Sequence, residues 1–136
     1  MDLKNSVMVC GFGVSGQAAA RLAGYLGKYI VIVDENSTRE MREQAAEVRR
    51  QYPGVKMDLY FSWKEEITLP RCELAVMSPG VRRGTPLFHA AERMTSRVAS
   101  ELEFALEHIT CPIAAITGTN GKTTTTELTT AILRAS

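Results

Sequence analysis

The chain has no excess of charge, no long apolar stretch and no paired cysteines, and each lack closes off a class of function. Lys and Arg number 16 against 15 Asp and Glu, a formal net charge of +1. Nothing in that balance calls for nucleic acid or a membrane surface as partner. No basic start is followed by a long apolar run, so neither a signal peptide nor a transmembrane helix is expected. The cysteines are 3, an odd and scattered set at Cys10, Cys72 and Cys111. Buried reduced thiols in a cytoplasmic protein are expected from them, not disulfides or a metal site. His89 and His108 have no cysteine, carboxylate or histidine at ligand spacing, so structural or surface roles are expected. Internal repeats are missing, and the only low-complexity run is Thr123 to Thr126.

What is present is the composition of a soluble globular protein, with 45% hydrophobic and 23% charged residues. At 136 residues one domain is the first expectation, with a core able to bury about two thirds of the unfolded surface.

Ser6 to Cys10 is a short apolar run, expected as a buried first strand. It leads into Gly11-Phe12-Gly13-Val14-Ser15-Gly16, a full G-x-G-x-x-G. Val14, Ala18, Leu22 and Leu26 then recur at helical spacing, so a helix opens inside the motif. Tyr29 to Val33 is strongly β-prone and ends at Asp34. Strand, glycine turn, helix, strand and acid in that order form a nucleotide-binding βαβ unit. Gly11 would make the tight turn, Gly13 would let the backbone approach a diphosphate, and Gly16 would permit close helix–strand packing.

Thr38 to Tyr52 carries Met41, Ala45, Val48 and Tyr52 at helical spacing, with a solvated charged face between them. Pro53-Gly54 ends it. Lys56 to Phe61 is expected as an edge-like strand, and Trp63 as a packing residue. Glu73 to Met77 is a further apolar strand followed by Ser78-Pro79-Gly80. That turn falls at the C-terminal end of a parallel strand, where ligands sit in open α/β sheets. Arg82 and Arg83 after it could meet a phosphate, and solvated roles are the first expectation for them. Thr85-Pro86 opens a helix through Met94, and Arg97 to Ala99 reads as a short strand. Ser100 and Glu103 form a capping box ahead of a helix whose expected buried face is Leu102, Ala105, Leu106 and Ile109. Thr110-Cys111-Pro112 is the best candidate for a domain boundary.

Beyond it, Ile113 to Ile116 looks like a buried strand leading into Gly118-Thr119-Asn120-Gly121-Lys122-Thr123-Thr124, with a helix-like segment from Glu127 to Arg134. Strand, glycine loop, Lys-Thr and helix is an arrangement that cradles a phosphate chain. Loop N–H groups and the helix N-terminus face the anion and the lysine adds a full charge. The hydroxyl after the lysine is placed to hold Mg²⁺. The outer glycine of the general P-loop pattern is replaced by Ile116. The poorly helix-forming threonines suit the first turn of a helix.

Gly118 to Thr124 resembles the ATP-binding motif of the Mur ligases and their folate-polyglutamate-ligase relatives, a family whose P-loop also lacks the outer glycine. Gly11 to Gly16, Ser78-Pro79-Gly80 and Ser100 to Glu103 narrow the resemblance to the D-glutamate-adding branch. The resemblance covers the whole chain. It implies an α/β fold with a Rossmann-like parallel sheet and flanking helices, followed by the first strand, P-loop and helix of a truncated ATP-binding domain. Residues 1–110 would be the UDP-substrate domain and residues 111–136 a fragment of the central ATP-binding domain.

For the full enzyme the resemblance implies phosphorylation of the UDP-N-acetylmuramoyl-L-alanine carboxylate by ATP, and attack of the D-glutamate amine on the acyl phosphate. Carried over by position, Lys122 would stabilise the transferring phosphoryl group and Thr123 would hold Mg²⁺. The N–H groups of Gly118, Thr119, Asn120, Gly121, Lys122, Thr123, Thr124 and Thr125 would cradle ATP. Gly11, Gly13, Val14 and Ser15 would meet the substrate diphosphate. Asp34, Glu35 and Asn36 would lie near uridine, and Ser78, Pro79 and Gly80 would border the substrate. Asn36 stands where relatives often carry arginine. The full enzyme is expected to be a monomer, and the fragment to be inactive and free to self-associate. A module holding NAD(P) or another nucleotide in a regulatory role remains an alternative, as does another member of the family.

Overall fold

The computed structural model describes residues 5–135; the expected domain spans 1–110 and 111–136 extend past these limits by their terminal residues, which lie outside the described set. The elements in order are β1 (Ser6–Cys10), α1 (Val14–Tyr25), β2 (Tyr29–Asp34), α2 (Arg39–Gln51), β3 (Met57–Phe61), β4 (Cys72–Met77), α3 (Pro86–Met94), β5 (Thr95–Ser100), α4 (Glu101–Leu106) and α5 (Lys122–Ala135). The strands form one five-stranded sheet in the order β3-β2-β1-β4-β5, and all of its pairings are parallel.

The apolar runs are continuous because both faces of the sheet are covered. Alternate residues of each strand serve opposite layers. Val7, Val9, Ile30, Ile32, Leu74 and Val76 join Ala19, Ala20, Ala23 and Ala45 of α1 and α2 and Phe104 of α4. Met8, Cys10, Val31, Val33, Ala75 and Met77 join Leu87, Ala90 and Ala91 of α3, with Trp63 and Leu69. Each fully buried valine or isoleucine contributes about 1.5–3 kcal/mol, so the central strands β1 and β2 anchor the fold. Trp63 is buried at 4% exposure and its indole N–H donates to the Ile67 carbonyl at 2.9 Å. It packs, as its setting suggested.

The helices start where capping residues stand. Thr38 Oγ1 accepts the Met41 N–H at 3.1 Å, and Thr85 Oγ1 accepts the Phe88 N–H at 3.3 Å ahead of Pro86. The capping box of α4 forms in full. Glu103 Oε2 accepts the Ser100 N–H at 2.7 Å while Ser100 Oγ accepts the Glu103 N–H at 3.2 Å.

α1 opens inside the glycine motif at Val14, as the helical spacing predicts, and Leu22 and Leu26 pack against the core. Val14 is 88% exposed, while Gly16, Ala19, Ala20, Ala23 and Gly24 are buried. Small residues let the helix axis close on the sheet and on Tyr52, whose ring leaves no room for a Cβ on Gly24. On α4 the expected face of Leu102, Leu106 and Ile109 is exposed, and Phe104 alone is buried. The helix ends at Leu106, too short to present a stripe that reaches Ile109. β5 runs longer than the Arg97–Ala99 core.

Ile113 to Ile116 forms no strand. The run has no place in the five-stranded sheet, and without a neighbour its backbone groups have no ladder to join. Ile113 is 55% exposed. The loop and helix that follow do form, with α5 beginning at Lys122 and taking the threonines inside it. Thr126 and Thr130 hydroxyls donate back to the carbonyls of Lys122 and Thr126 at 2.8 and 2.7 Å. No residue of α5 is buried.

Candidate nucleotide-binding site

The parallel order places the C-terminal ends of β1, β2 and β4 side by side. β1 is the strand at which the chain turns from one half of the sheet to the other, and the crevice outside such a point is where open α/β sheets bind ligands. Gly11 leaves β1 at φ +84°, a left-handed conformation that favours glycine. Its N–H donates to the Val33 carbonyl at 2.8 Å, and its carbonyl accepts Ser78 Oγ at 2.8 Å. The Ser78 N–H in turn donates to Cys10 O at 3.0 Å. The turns after β1 and β4 are thus stitched to each other, and Ser78 is buried by the stitching.

Gly13 precedes α1 with φ −74°, and a Cβ placed on it meets nothing within 4 Å. The protein itself does not require glycine there. The space a side chain would take lies at the open mouth of the site, so the fit favours a group approaching the backbone and the N-terminus of the twelve-residue α1. No side chain caps this end.

A cavity of about 400 Å³ opens here. Gly11, Gly13, Val14 and Ser15 line it from the glycine turn, Asp34, Glu35 and Asn36 from the end of β2, and Ser78, Pro79 and Gly80 from the turn after β4. Three stretches far apart in sequence therefore meet on one cavity. Val81 and Leu87 also line it and carried no sequence signal. A second cavity of about 650 Å³ adjoins it, sharing Ser78, Pro79 and Val81 and adding Arg83, Ser100 and Glu101 among others. Arg83 borders this second space.

Asp34 is buried, with both carboxylate oxygens engaged by the Phe12 and Asn36 backbone N–H groups at 2.7 Å. Glu35 and Asn36 are exposed. Beneath the site, burial pushes the Cys10 thiol up to about 12, with Cys72 adding to the shift, and pushes Cys72 up to about 11. Neither is a nucleophile at neutral pH. Cys111 is exposed. His89 has a carboxylate partner after all, Glu92 Oε2 at 3.2 Å, and His108 stands edge-on to Phe104. Among the described residues no group of three or more His, Cys, Asp or Glu could hold a metal ion.

The second glycine loop lies elsewhere. Gly118 has φ +151° and Gly121 φ +76°, both favouring glycine. The Lys122 ammonium donates to the Gly118 carbonyl at 2.5 Å, folding back over its own loop. Thr125 N–H bonds Gly121 O at 2.9 Å and marks the first helical turn, so the N–H groups before it face outward. The residues Gly118 to Thr125 are exposed throughout and line none of the cavities described above. The loop's backbone, lysine and Thr123 hydroxyl fit a nucleoside triphosphate with Mg²⁺. Further oxygen ligands for the ion would come from phosphates and water.

These features define the class, an α/β protein with a Rossmann-like, all-parallel five-stranded sheet flanked by helices. No family model matches the chain. It is 35% identical over 129 residues to the UDP-N-acetylmuramoylalanine–D-glutamate ligase of Thermoanaerobacter pseudethanolicus, covering 94% of this chain and 28% of that protein. Proteins of the same name are 38% identical in a Synechococcus strain (88% of this chain, 25% of that one) and 37% identical in Caldicellulosiruptor saccharolyticus (98% and 29%). The chain belongs to the Mur ligase family, matching an N-terminal part of its D-glutamate ligases, and spans little more than a quarter of their length. Among solved structures, a short-chain dehydrogenase from Oenococcus oeni superposes with TM-score 0.46 at 17% identity, over 79% of this chain and 67% of that one. No helix among the described residues is long and apolar enough to cross a membrane.

Proposed function

We propose that this chain is the UDP-substrate-binding part of an ATP-dependent ligase that adds D-glutamate to UDP-N-acetylmuramoyl-L-alanine in peptidoglycan synthesis. In the whole enzyme, ATP and Mg²⁺ would activate the substrate carboxylate as an acyl phosphate, and the amine of D-glutamate would displace phosphate. Residues 1–110 hold the UDP part and residues 111–136 contribute to the ATP site. The observation that carries the reading is the convergence of Gly11 to Ser15, Asp34 to Asn36 and Ser78 to Gly80 on one cavity. The α1 N-terminus and Gly13 face the diphosphate there, with Val14 and Ser15 beside them. Glu35 and Asn36 face the nucleoside, with Asp34 behind them, and Ser78, Pro79 and Gly80 border the remainder.

Lys122 stabilises charge on the transferring phosphoryl group, Thr123 holds Mg²⁺, and Gly118 to Thr125 surround the ATP phosphates. The protein acts in the cytoplasm, and the whole enzyme is a monomer. The engagement of the Asp34 carboxylate by backbone N–H groups favours this reading over a dinucleotide module, where that acid would meet ribose hydroxyls. The 136-residue chain by itself is inactive. Its loop from Gly118 to Thr125 is exposed, so nothing excludes water from a reacting phosphoryl group.

Titration of the purified chain with UDP-N-acetylmuramoyl-L-alanine and, separately, NADH tests the proposal. Saturable binding of the first is expected. Binding of NADH alone overturns it, and phosphate release that depends on D-glutamate overturns the inactivity.

A further inference from the structure

Asp34 stands where an acid is expected beside a nucleoside, yet its carboxylate is turned into the protein. Oδ2 accepts the Phe12 N–H at 2.7 Å. Oδ1 accepts the Asn36 N–H at 2.7 Å and the Asn36 side-chain amide at 3.2 Å. The residue is 9% exposed, and its own carbonyl accepts the Trp63 N–H at 3.0 Å. Phe12 lies between the glycines of the first turn, and Asn36 lies in the loop after β2. One carboxylate therefore bridges two walls of the cavity, beyond the single bond from the Gly11 N–H to the Val33 carbonyl at their base.

We propose that Asp34 is a positioning residue, whose carboxylate sets the spacing between the glycine turn and the Glu35–Asn36 loop without itself binding the ligand. The proposal rests on the nucleotide reading above for its ligand, and on geometry alone for the clasp. A carboxylate is an acceptor only, suited to two converging N–H donors. Hydrogen bonds to a charged acceptor are roughly twice as strong as neutral ones. Holding both walls at a fixed separation removes ordering cost for a ligand that touches both. A ligand that touches one wall gains nothing from it.

That difference supplies the test. Asp34→Asn keeps the size of the side chain but replaces one acceptor oxygen with an NH₂ group facing an N–H donor. The whole chain, unmodified and substituted, is titrated by NMR with UDP, uridine and pyrophosphate, and amide exchange is followed at Phe12 and Asn36. UDP affinity is expected to fall ~10-fold or more, the scale of one lost charge-assisted bond. Uridine and pyrophosphate alone should each change less than ~3-fold, because neither needs the spacing. Exchange at Phe12 or Asn36 should accelerate. Asp34→Glu, which keeps the charge but adds a methylene, should show the same split and serves if the asparagine variant does not fold.

An equal loss of uridine and UDP affinity overturns the proposal, because it makes Asp34 a direct contact. Unchanged UDP affinity overturns it too. If the unmodified chain does not bind UDP, the nucleotide reading fails, and the clasp is judged on exchange alone. Unaltered protection at both amides then sinks it.

Discussion

The Cβ position of Gly16 lies 1.9 Å from the carbonyl oxygen of Gly11. The first turn of α1 and the end of β1 are in contact with no room for any side chain. The same carbonyl accepts the Ser78 hydroxyl, so it cannot swing away without releasing the turn after β4.

Gly16→Ala is therefore expected to destabilise the fold by about 3 kcal/mol, the upper part of the range for overpacking against a neighbour that cannot yield. Urea unfolding measures it. A loss below about 1 kcal/mol would mean that α1 rides up freely and that the stitching through Ser78 is weak.

Gly13→Ala separates stability from binding. Its Cβ meets nothing within 4 Å and φ is −74°, so the cost is that of a poor helix N-cap, about 1 kcal/mol or less. Nucleotide affinity should nevertheless fall ~10-fold or more if a diphosphate lies against the backbone there, since the added methyl occupies its place. Retained affinity in the folded variant would move the diphosphate elsewhere.

The strands and the first glycine motif were legible in the sequence because they rest on local chemistry. Val7 to Cys10 and Ile30 to Val33 are apolar at every position, which suits a strand covered on both faces. Gly11 and Gly16 answer to a turn and a close approach that no other residue tolerates. Ser78-Pro79-Gly80 was placed at the site by the rule for parallel sheets, not by its own chemistry. What stayed hidden depends on tertiary partners. Helical spacing cannot say that Phe104 turns inward while Leu102 beside it stays out. An apolar run such as Ile113 to Ile116 reads as a strand whether or not a neighbouring strand exists. The Asp34 carboxylate could equally have faced the crevice, and it is the N–H groups of Phe12 and Asn36 that hold it turned in. Val81 and Leu87 reach the cavity through folding of the chain after β4.

Acid should loosen the start of α4 through Glu103. The backbone N–H of Ser100, then its hydroxyl, hold the Glu103 carboxyl below its usual 4.5. A group depressed in the folded state stabilises above its unfolded value and loses that contribution as pH falls through its folded value. Glu103→Gln should therefore be less stable than the unsubstituted chain at pH 7. The gap should close as the solution is taken below 4.5. Denaturation across that window checks it, and a gap independent of pH would contradict the capping role.

Thiol labelling should divide the cysteines. Cys111 is exposed, whereas Cys10 and Cys72 are buried with thiols raised to about 12 and about 11. At pH 8 one group should react promptly and the others only at the rate of unfolding. Prompt reaction of all 3 cysteines would show that the sheet opens at its β1–β4 seam.

The P-loop helix should behave as a separate, weakly held element. α5 buries none of its residues, and Leu128, Ile132 and Leu133 are 61%, 61% and 68% exposed. Its sequence begins with a lysine and a run of threonines, poor helix formers, and a 14-residue helix without packing is marginal in water. Amide exchange along α5 should therefore be near that of an isolated peptide, while β1 and β2 are protected to the limit of global unfolding. For the same reason Lys122→Ala should leave the melting temperature unchanged, because among the described residues its ammonium bonds the Gly118 carbonyl of its own loop and no residue of the sheet domain. MgATP should bind weakly to the chain, since the loop is not held rigid by neighbours and must be ordered on binding. Strong protection of α5 in a chain shown to be monomeric by sedimentation, or tight MgATP binding by calorimetry, would refute this. Protection that appears only as concentration rises would instead assign the exposed leucine and isoleucine face to contact between copies.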